Sequence, residues 1–238
     1  AILKVLNTRE KNIMTIEDPV EYRIAGANQV HVNAKTNLTF ANGLRSILRQ
    51  DPNVIFVGEI RDSETAGIAV NAALTGHLVL STLHTNDAAT AIPRLTDMKV
   101  EPFLVASTVN VIIAQRLVRQ ICSSCKMEEK IQTIEIVKHF PVELVEKHFG
   151  KLAEITVYKG KGCKICRNTG YTGRVGLFEV LEVTKGIRLL ISEKADSDII
   201  AQAAIKEGME TMLDDGLKKV ATGVTTIEEV IRVTKVEN

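Results

Sequence analysis

Two C-x-x-C pairs, Cys122/Cys125 and Cys163/Cys166, supply four thiol donors that can share one ion. Zinc takes four such ligands tetrahedrally at about 2.3 Å, and two C-x-x-C turns closing on one ion make a structural site. The gap from Cys125 to Cys163 is longer than in a simple zinc ribbon, so residues 126–160 are expected to form an insertion. Four reduced, buried thiols are the plainer alternative. A redox C-x-x-C is disfavoured, because the motif is doubled and has no thioredoxin-like context.

Carboxylates and histidines concentrate upstream. TIEDPVEY (15–22) brings Glu17, Asp18 and Glu21 close together, with Pro19 fixing the turn between them. Crowded acids raise one another's pKa unless a cation compensates, so the cluster is either a surface turn or a site that handles metal and protons. In VIFVGEIRD (54–62) an apolar run delivers Glu59 past its carboxyl end. P-loop enzymes keep an acid there for the Mg²⁺ shell or the attacking water, whereas the plain reading is a charged turn closing a strand. His77 and His84 bracket the apolar run of TGHLVLSTLHTNDA (75–88) and, by the two-residue period, point to opposite faces. A histidine at a strand end beside acids can sense a γ-phosphate; a lone strand histidine is usually structural. The chain holds no G-x-x-x-x-G-K-[ST], the loop that cradles nucleotide phosphates, and its first residue is Ala. It therefore reads as a fragment beginning after its phosphate grip, inactive by itself.

These groups need a scaffold. IMTIED (13–18), VIFVG (54–58) and HLVLSTLH (77–84) read as strands, QVHVN (29–33) as a half-exposed strand, and 1–7, 39–50 and 64–74 as helices. Gly76 is expected as the C′ residue of the last of these. Asn86 and Asp87 are expected to cap the helix that follows. Continuous apolar strands alternating with helices predict an α/β fold with a mostly parallel sheet. From Lys126 the chain turns charged and weakly amphipathic, with a helix expected over 142–149, and glycines surround the second cysteine pair. After GLFEVLEV (176–183) the tail reads as helical. Met209, Met212, Leu213, Leu217 and Val220 form one apolar stripe, Gly223 stops that helix, and Thr225 with Glu228 makes a capping box for the last. Expected domains are a core over 1–121, a tetracysteine subdomain over 122–176 and a helical subdomain over 177–238.

Composition excludes some functions. A net charge of +1 and 4% aromatic residues without Trp argue against a nucleic-acid surface. The longest apolar stretch, Pro102 to Ala114, is too short and too interrupted to span a membrane, so no direct span is expected. No secretory signal precedes the paired thiols, which favours a reducing compartment and a metal over disulfides.

The wording and order of the boxes then carry a resemblance. TIEDPVEY, LTFANGLRSILRQDPNVIFVGEIRDSETA and AALTGHLVLSTLHTNDA closely resemble the secretion ATPases of the type II secretion and type IV pilus assembly family, where they are called the Asp box, Walker B and His box. The resemblance continues through the tetracysteine element, which marks the pilus-extension and secretion branch, and through GRVGLFEVLEV and GMETMLDDGLKKVATGVTTIEEV. It implies a RecA-like ATPase core using ATP, Mg²⁺ and Zn²⁺. It also implies a cytoplasmic homo-hexamer working on an inner-membrane platform with cytoplasmic recruitment proteins. By the same resemblance Glu21 is the catalytic glutamate, Glu59 the Walker B glutamate near Mg²⁺, and His84, with His77, lies near the γ-phosphate. Glu17 and Asp18 would hold Glu21 in place. Arg45 and Arg49 match arginines of the LRxxLRxDP segment, or form helix-surface ion pairs. A zinc-stabilised interaction module without nucleotide turnover is the alternative from another class.

Overall fold

The computed structural model describes residues 2–234. The chain begins with α1 (Ile2–Leu6), β1 (Ile13–Glu17), β2 (Ala27–His31), α2 (Phe40–Ile47), β3 (Val54–Val57), α3 (Ser63–Leu74) and β4 (Leu78–Ser81). Helices α4 (Ala91–Asp97) and α5 (Pro102–Thr108) lead to β5 (Val111–Ile121) and β6 (Lys126–Gln132). Then come α6 (Thr133–Val137), α7 (Val142–Phe149), β7 (Glu154–Gly160) and β8 (Tyr171–Glu182). Helices α8 (Lys185–Ser192), α9 (Ser197–Lys206), α10 (Met212–Ala221) and α11 (Ile227–Thr234) follow.

Two compact units result. One takes the residues up to Thr85, Ala89–Asn110 and Val183–Ala203; the other takes Asn86–Ala88, Val111–Glu182 and the chain from Ala204. This departs from the boundaries expected at 121, 122, 176 and 177. The physical reason is pairing: β5 is antiparallel to β8 from Val111↔Glu182 to Ile121↔Tyr171, so 111–121 cannot belong apart from the cysteine segment. Conversely, Val183 N–H donates to the Asn110 carbonyl and Arg188 reaches the Ala106 carbonyl, which returns α8 to the first unit.

The first unit is built on a four-stranded sheet ordered β2-β1-β3-β4, parallel throughout. Central β1 and β3 carry fully buried Ile13, Ile16, Ile55 and Val57, each worth about 2 kcal/mol of burial. Helix α2 starts where Thr39 Oγ1 accepts from the Asn42 N–H at 3.2 Å, and it buries Leu44 and Ile47. Helix α3 starts on Asp62, whose carboxylate accepts from the Thr65 N–H at 2.8 Å. It ends in a Schellman turn at Gly76 (φ +98°), with Gly76 N–H to Ala73 O at 3.1 Å and His77 N–H to Ala72 O at 3.2 Å. The caps expected after β4 are not formed as such: α4 begins only at Ala91, and Asn86 instead accepts from Arg116 Nη2 at 3.2 Å.

In the second unit, residues 126–160 fold as β6 and β7, antiparallel to each other, with α6 and α7 between them. Ile136, Phe140, Val145, Ile155 and Val157 from this segment share one core with Val118, Leu177, Met212, Leu217, Val220 and Val230. The cysteine-flanked insertion is therefore packed on α10 and α11 and has no separate core. Of the expected methionine stripe, Met209 lies before α10 and the rest falls on it or at its start. The last helix is capped one residue later than expected: Thr226 Oγ1 accepts from the Glu229 N–H at 3.4 Å, while Thr225 Oγ1 donates to the Arg119 carbonyl at 2.8 Å.

Two buried acids tie this unit together. Glu229 accepts from the Arg119 N–H and Nη2, both at 2.7 Å, and from Arg232 Nε and Nη2 at 3.0 and 2.8 Å. Burial pushes its pKa up, but Arg232 and Arg119 outweigh that and hold it at about 2. Asp214 accepts from Lys147 and His148 on α7, both at 2.5 Å. Burial opposes its charged form, and these two partners hold its pKa below the ordinary range. A depressed carboxyl pKa stabilises the fold above the unfolded value and loses that contribution as pH falls through the folded one. Stability is therefore expected to drop from about pH 4.5 towards pH 2. Glu229→Gln should lose about 3 kcal/mol at neutral pH and flatten that acid limb, as read by thermal melts across pH. An unchanged acid limb would remove Glu229 from the account.

Candidate functional site

The parallel register brings the carboxyl ends of three strands level. Ile16 of β1 stands opposite Val57 of β3, and Val57 opposite Ser81 of β4. Beyond these positions the backbones are laced together: Gly58 N–H donates to Ile16 O at 2.7 Å, Ile60 N–H to Thr82 O at 3.1 Å, and Thr82 Oγ1 to Gly58 O at 2.6 Å. Loop 18–26, the turn 58–62 and loop 82–85 therefore leave one edge of the sheet. In parallel α/β sheets that edge is where ligands bind.

Glu59 is the best-defined group there. Its carboxylate accepts from Arg61 Nε at 2.5 Å and lies 3.1 Å from His84 Nε2, with the Glu59 side chain 12% exposed. Burial raises its pKa, yet the hydrogen bonds and charges of Arg61 and His84 outweigh burial and keep it below the usual value. Glu59 is thus an ionised hard-oxygen donor, suited to Mg²⁺ or its water shell. Arg61 was not singled out from the sequence, although its place two residues after Glu59 in a charged turn was the available signal.

Glu17 ends β1 and is held from the side: Thr15 Oγ1 donates to its Oε1 at 2.6 Å and Gln29 Nε2 at 2.9 Å. Asp18 and Glu21 stand exposed on the following loop. The same Gln29 amide donates to Tyr22 O at 3.1 Å and accepts from the Ile24 N–H at 2.8 Å. Thr15 and Gln29 were missed in the sequence: Thr15 is a buried polar residue within an apolar run and Gln29 sits on a half-exposed strand, and neither position tells which group the side chain bonds.

The remaining candidates lie apart from Glu59. His77 Nδ1 is 3.0 Å from Ala72 O and 3.1 Å from Thr75 Oγ1, so its ring serves the end of α3. It sits before β4, at the opposite end of the strand from His84. Arg45 pairs with Glu64 of α3 at 2.6 Å on the exposed surface, and Arg49 is exposed on the turn after α2. That geometry is the helix-surface ion pair, at least for Arg45.

In the second unit, the four cysteine sulfurs all lie within 4.8 Å of one another. Cys122–Cys163 and Cys125–Cys166 are 3.9 Å apart and Cys163–Cys166 is 3.7 Å, matching the edge of about 3.8 Å of a ZnS₄ tetrahedron with bonds of about 2.3 Å. No disulfide joins them. Cys166 Sγ accepts from the Cys163 N–H at 3.1 Å and the Gly170 N–H at 3.3 Å. Burial pushes this thiol up, but those two amides outweigh it and bring it down to about 6. The donor set fits zinc. The cysteine loops close because Gly160 and Gly170 meet backbone to backbone: a Cβ on Gly160 would lie 2.0 Å from Gly170 O, and one on Gly170 would lie 2.7 Å from Gly160 O.

A parallel α/β sheet with an acidic, histidine-bearing carboxyl edge, followed by a tetracysteine centre, defines a class of chain rather than a single activity. The class is settled by similarity: the chain belongs to the family described as "Type II/IV secretion system protein", whose pattern matches residues 1–232. It is 49% identical over 231 residues to the type IV pilus assembly ATPase PilB of Thermus thermophilus, covering 97% of this chain and 25% of that protein. It is 48% identical over 237 residues to type II secretion system protein E of Pseudomonas aeruginosa, covering 100% of this chain and 45% of that protein. The chain thus spans less than half the length of these relatives. Its fold is similar to the crystal structure of the pilus retraction motor PilT with bound ADP. That match has a TM-score of 0.68 and 30% identity, over 99% of this chain and 56% of the other.

Proposed function

We propose that this chain is the motor-core part of an ATPase that powers type II protein secretion or type IV pilus assembly. The observation that carries the reading is the convergence of the Glu17–Glu21 loop, Glu59 and His84 at one edge of the parallel sheet. The relatives named as pilus assembly ATPase and secretion protein E support it.

In this reading water attacks the γ-phosphorus of ATP. The bond to the β–γ bridging oxygen breaks and ADP leaves; of the water's two protons one stays on the released phosphate and one passes to solvent. Glu21 accepts a hydrogen bond from that water and aligns it. Glu59, kept ionised by Arg61 and His84, is the group placed to hold Mg²⁺ or its water shell. Bound Mg²⁺ would neutralise charge on the phosphate oxygens. His84, beside Glu59 and largely exposed, would sense the charge on the γ-phosphate. Zinc on Cys122, Cys125, Cys163 and Cys166 has a structural part and takes no step in hydrolysis. The assembly that goes with this chemistry is a cytoplasmic homo-hexamer on an inner-membrane platform. Among the described residues no helix is long and apolar enough to cross a membrane.

The test is phosphate release by a protein of the relatives' full length carrying this chain. Glu59→Gln should lower turnover about a hundredfold or more while the protein still binds nucleotide. A wild-type protein that binds Mg-ATP without turning it over would leave the zinc-stabilised interaction module as the better reading.

A further inference from the structure

Gln29 makes contacts that no strand residue needs for strand pairing. Its Nε2 donates to Glu17 Oε1 at 2.9 Å and to Tyr22 O at 3.1 Å, and its Oε1 accepts from the Ile24 N–H at 2.8 Å. One planar amide thus joins the last residue of β1 to the loop that leaves it. Thr15, fully buried, donates to the same Glu17 oxygen at 2.6 Å and fixes the carboxylate on which Gln29 rests. The far end of the loop is held separately, by Asn7 Nδ2 donating to Ala25 O at 2.7 Å. Glu21 lies between these fixed points, directly before Tyr22, whose carbonyl Gln29 holds.

We propose that Gln29 is a positioning residue for Glu21, clamping loop 18–26 so that the Glu21 carboxylate is held where it meets the attacking water. The inference rests on the catalytic reading of Glu21. Gln29 touches no reacting atom; it acts through Tyr22, Ile24 and Glu17. A carboxylate that orients water is sensitive to small displacements, and about 1 Å of misplacement can cost about a hundredfold in rate. A substitution at Gln29 should therefore act on turnover and leave nucleotide affinity alone, because the loop contributes no phosphate contact of its own in this scheme.

Two measurements test it. On this chain, hydrogen exchange at the Ile24 amide, whose N–H donates to Gln29, should accelerate at least tenfold in Gln29→Leu, with the melting temperature nearly unchanged; unchanged exchange overturns the clamp. In a protein of the relatives' full length, Gln29→Leu should lower kcat about a hundredfold at constant nucleotide affinity. Added to Glu21→Gln it should cost nothing further, because the two act as one unit. An additive loss would show that Gln29 works elsewhere and would overturn the proposal. If Glu21→Gln itself leaves turnover intact, the catalytic reading of Glu21 fails, while the exchange result still reports on the clamp.

Discussion

Chelation of the purified protein is expected to release about one zinc per chain and to unfold the unit that carries the cysteines. The sulfur separations of 3.7 to 3.9 Å have the size of a ZnS₄ tetrahedron, so the four thiolates can ligate one ion together. Structural zinc binding is worth about 10 kcal/mol or more, comparable with the whole stability of a domain. The loss should not stay local. Residues 126–160 share their core with α10 and α11, so releasing the cysteine loops loosens the packing around Leu217, Val220 and Val230 as well. Elemental analysis with thermal melts before and after chelation checks this, and Cys163→Ser should reproduce the chelated melt. A metal-free protein with an unchanged melting temperature would end the zinc assignment.

Glu21→Gln, in a protein of the relatives' full length, should lower kcat about a thousandfold with nucleotide affinity nearly intact. Glutamine keeps the shape and the acceptor oxygen but loses the charge that aligns the water, so the loss falls on the transition state. Glu21 is exposed on its loop, whereas Glu59 is enclosed by Arg61 and His84. The exposed position leaves Glu21 free to face a ligand, and the variant should therefore fold normally. Single-turnover hydrolysis together with equilibrium binding of Mg-ATP separates the two quantities. Wild-type kcat in the variant would transfer the catalytic role to another carboxylate.

How much of this was legible in the sequence depends on how local each signal is. The apolar runs of β1 and β3 and the Schellman turn at Gly76 are written in consecutive residues, and the structure follows them closely. Helix α7 over Val142–Phe149 also falls where its periodicity places it. Strands β6 and β7 were not legible. KMEEKIQ is charged, and only its pairing with β7 makes it a strand; EITVYKG does alternate, with Ile155 and Val157 inward, but the run is short and lies in a charged stretch. The same holds for domain division, since the antiparallel partner of β5 lies some sixty residues away in the chain. At the site, Glu59 and His84 were readable as types at strand ends, and the structure joins them. His77 was not separable from His84 by pattern, because only the geometry of the α3 terminus shows which carbonyl its ring serves. The bond from Gln29 to Glu17, and the salt links of Asp214 to Lys147 and His148 and of Glu229 to Arg119, join groups remote in sequence and leave no local trace.

The contact between Gly160 and Gly170 has a consequence for inheritance. Neither residue touches a metal, yet each occupies space in which the other's backbone leaves no room for a single carbon atom. Any other amino acid at either position would force the two backbones apart at the cysteine loops, and because the obstructing atoms are backbone, no change in a nearby side chain can restore the room. Coordination chemistry sees a centre of four residues; the packing of its loops adds Gly160 and Gly170.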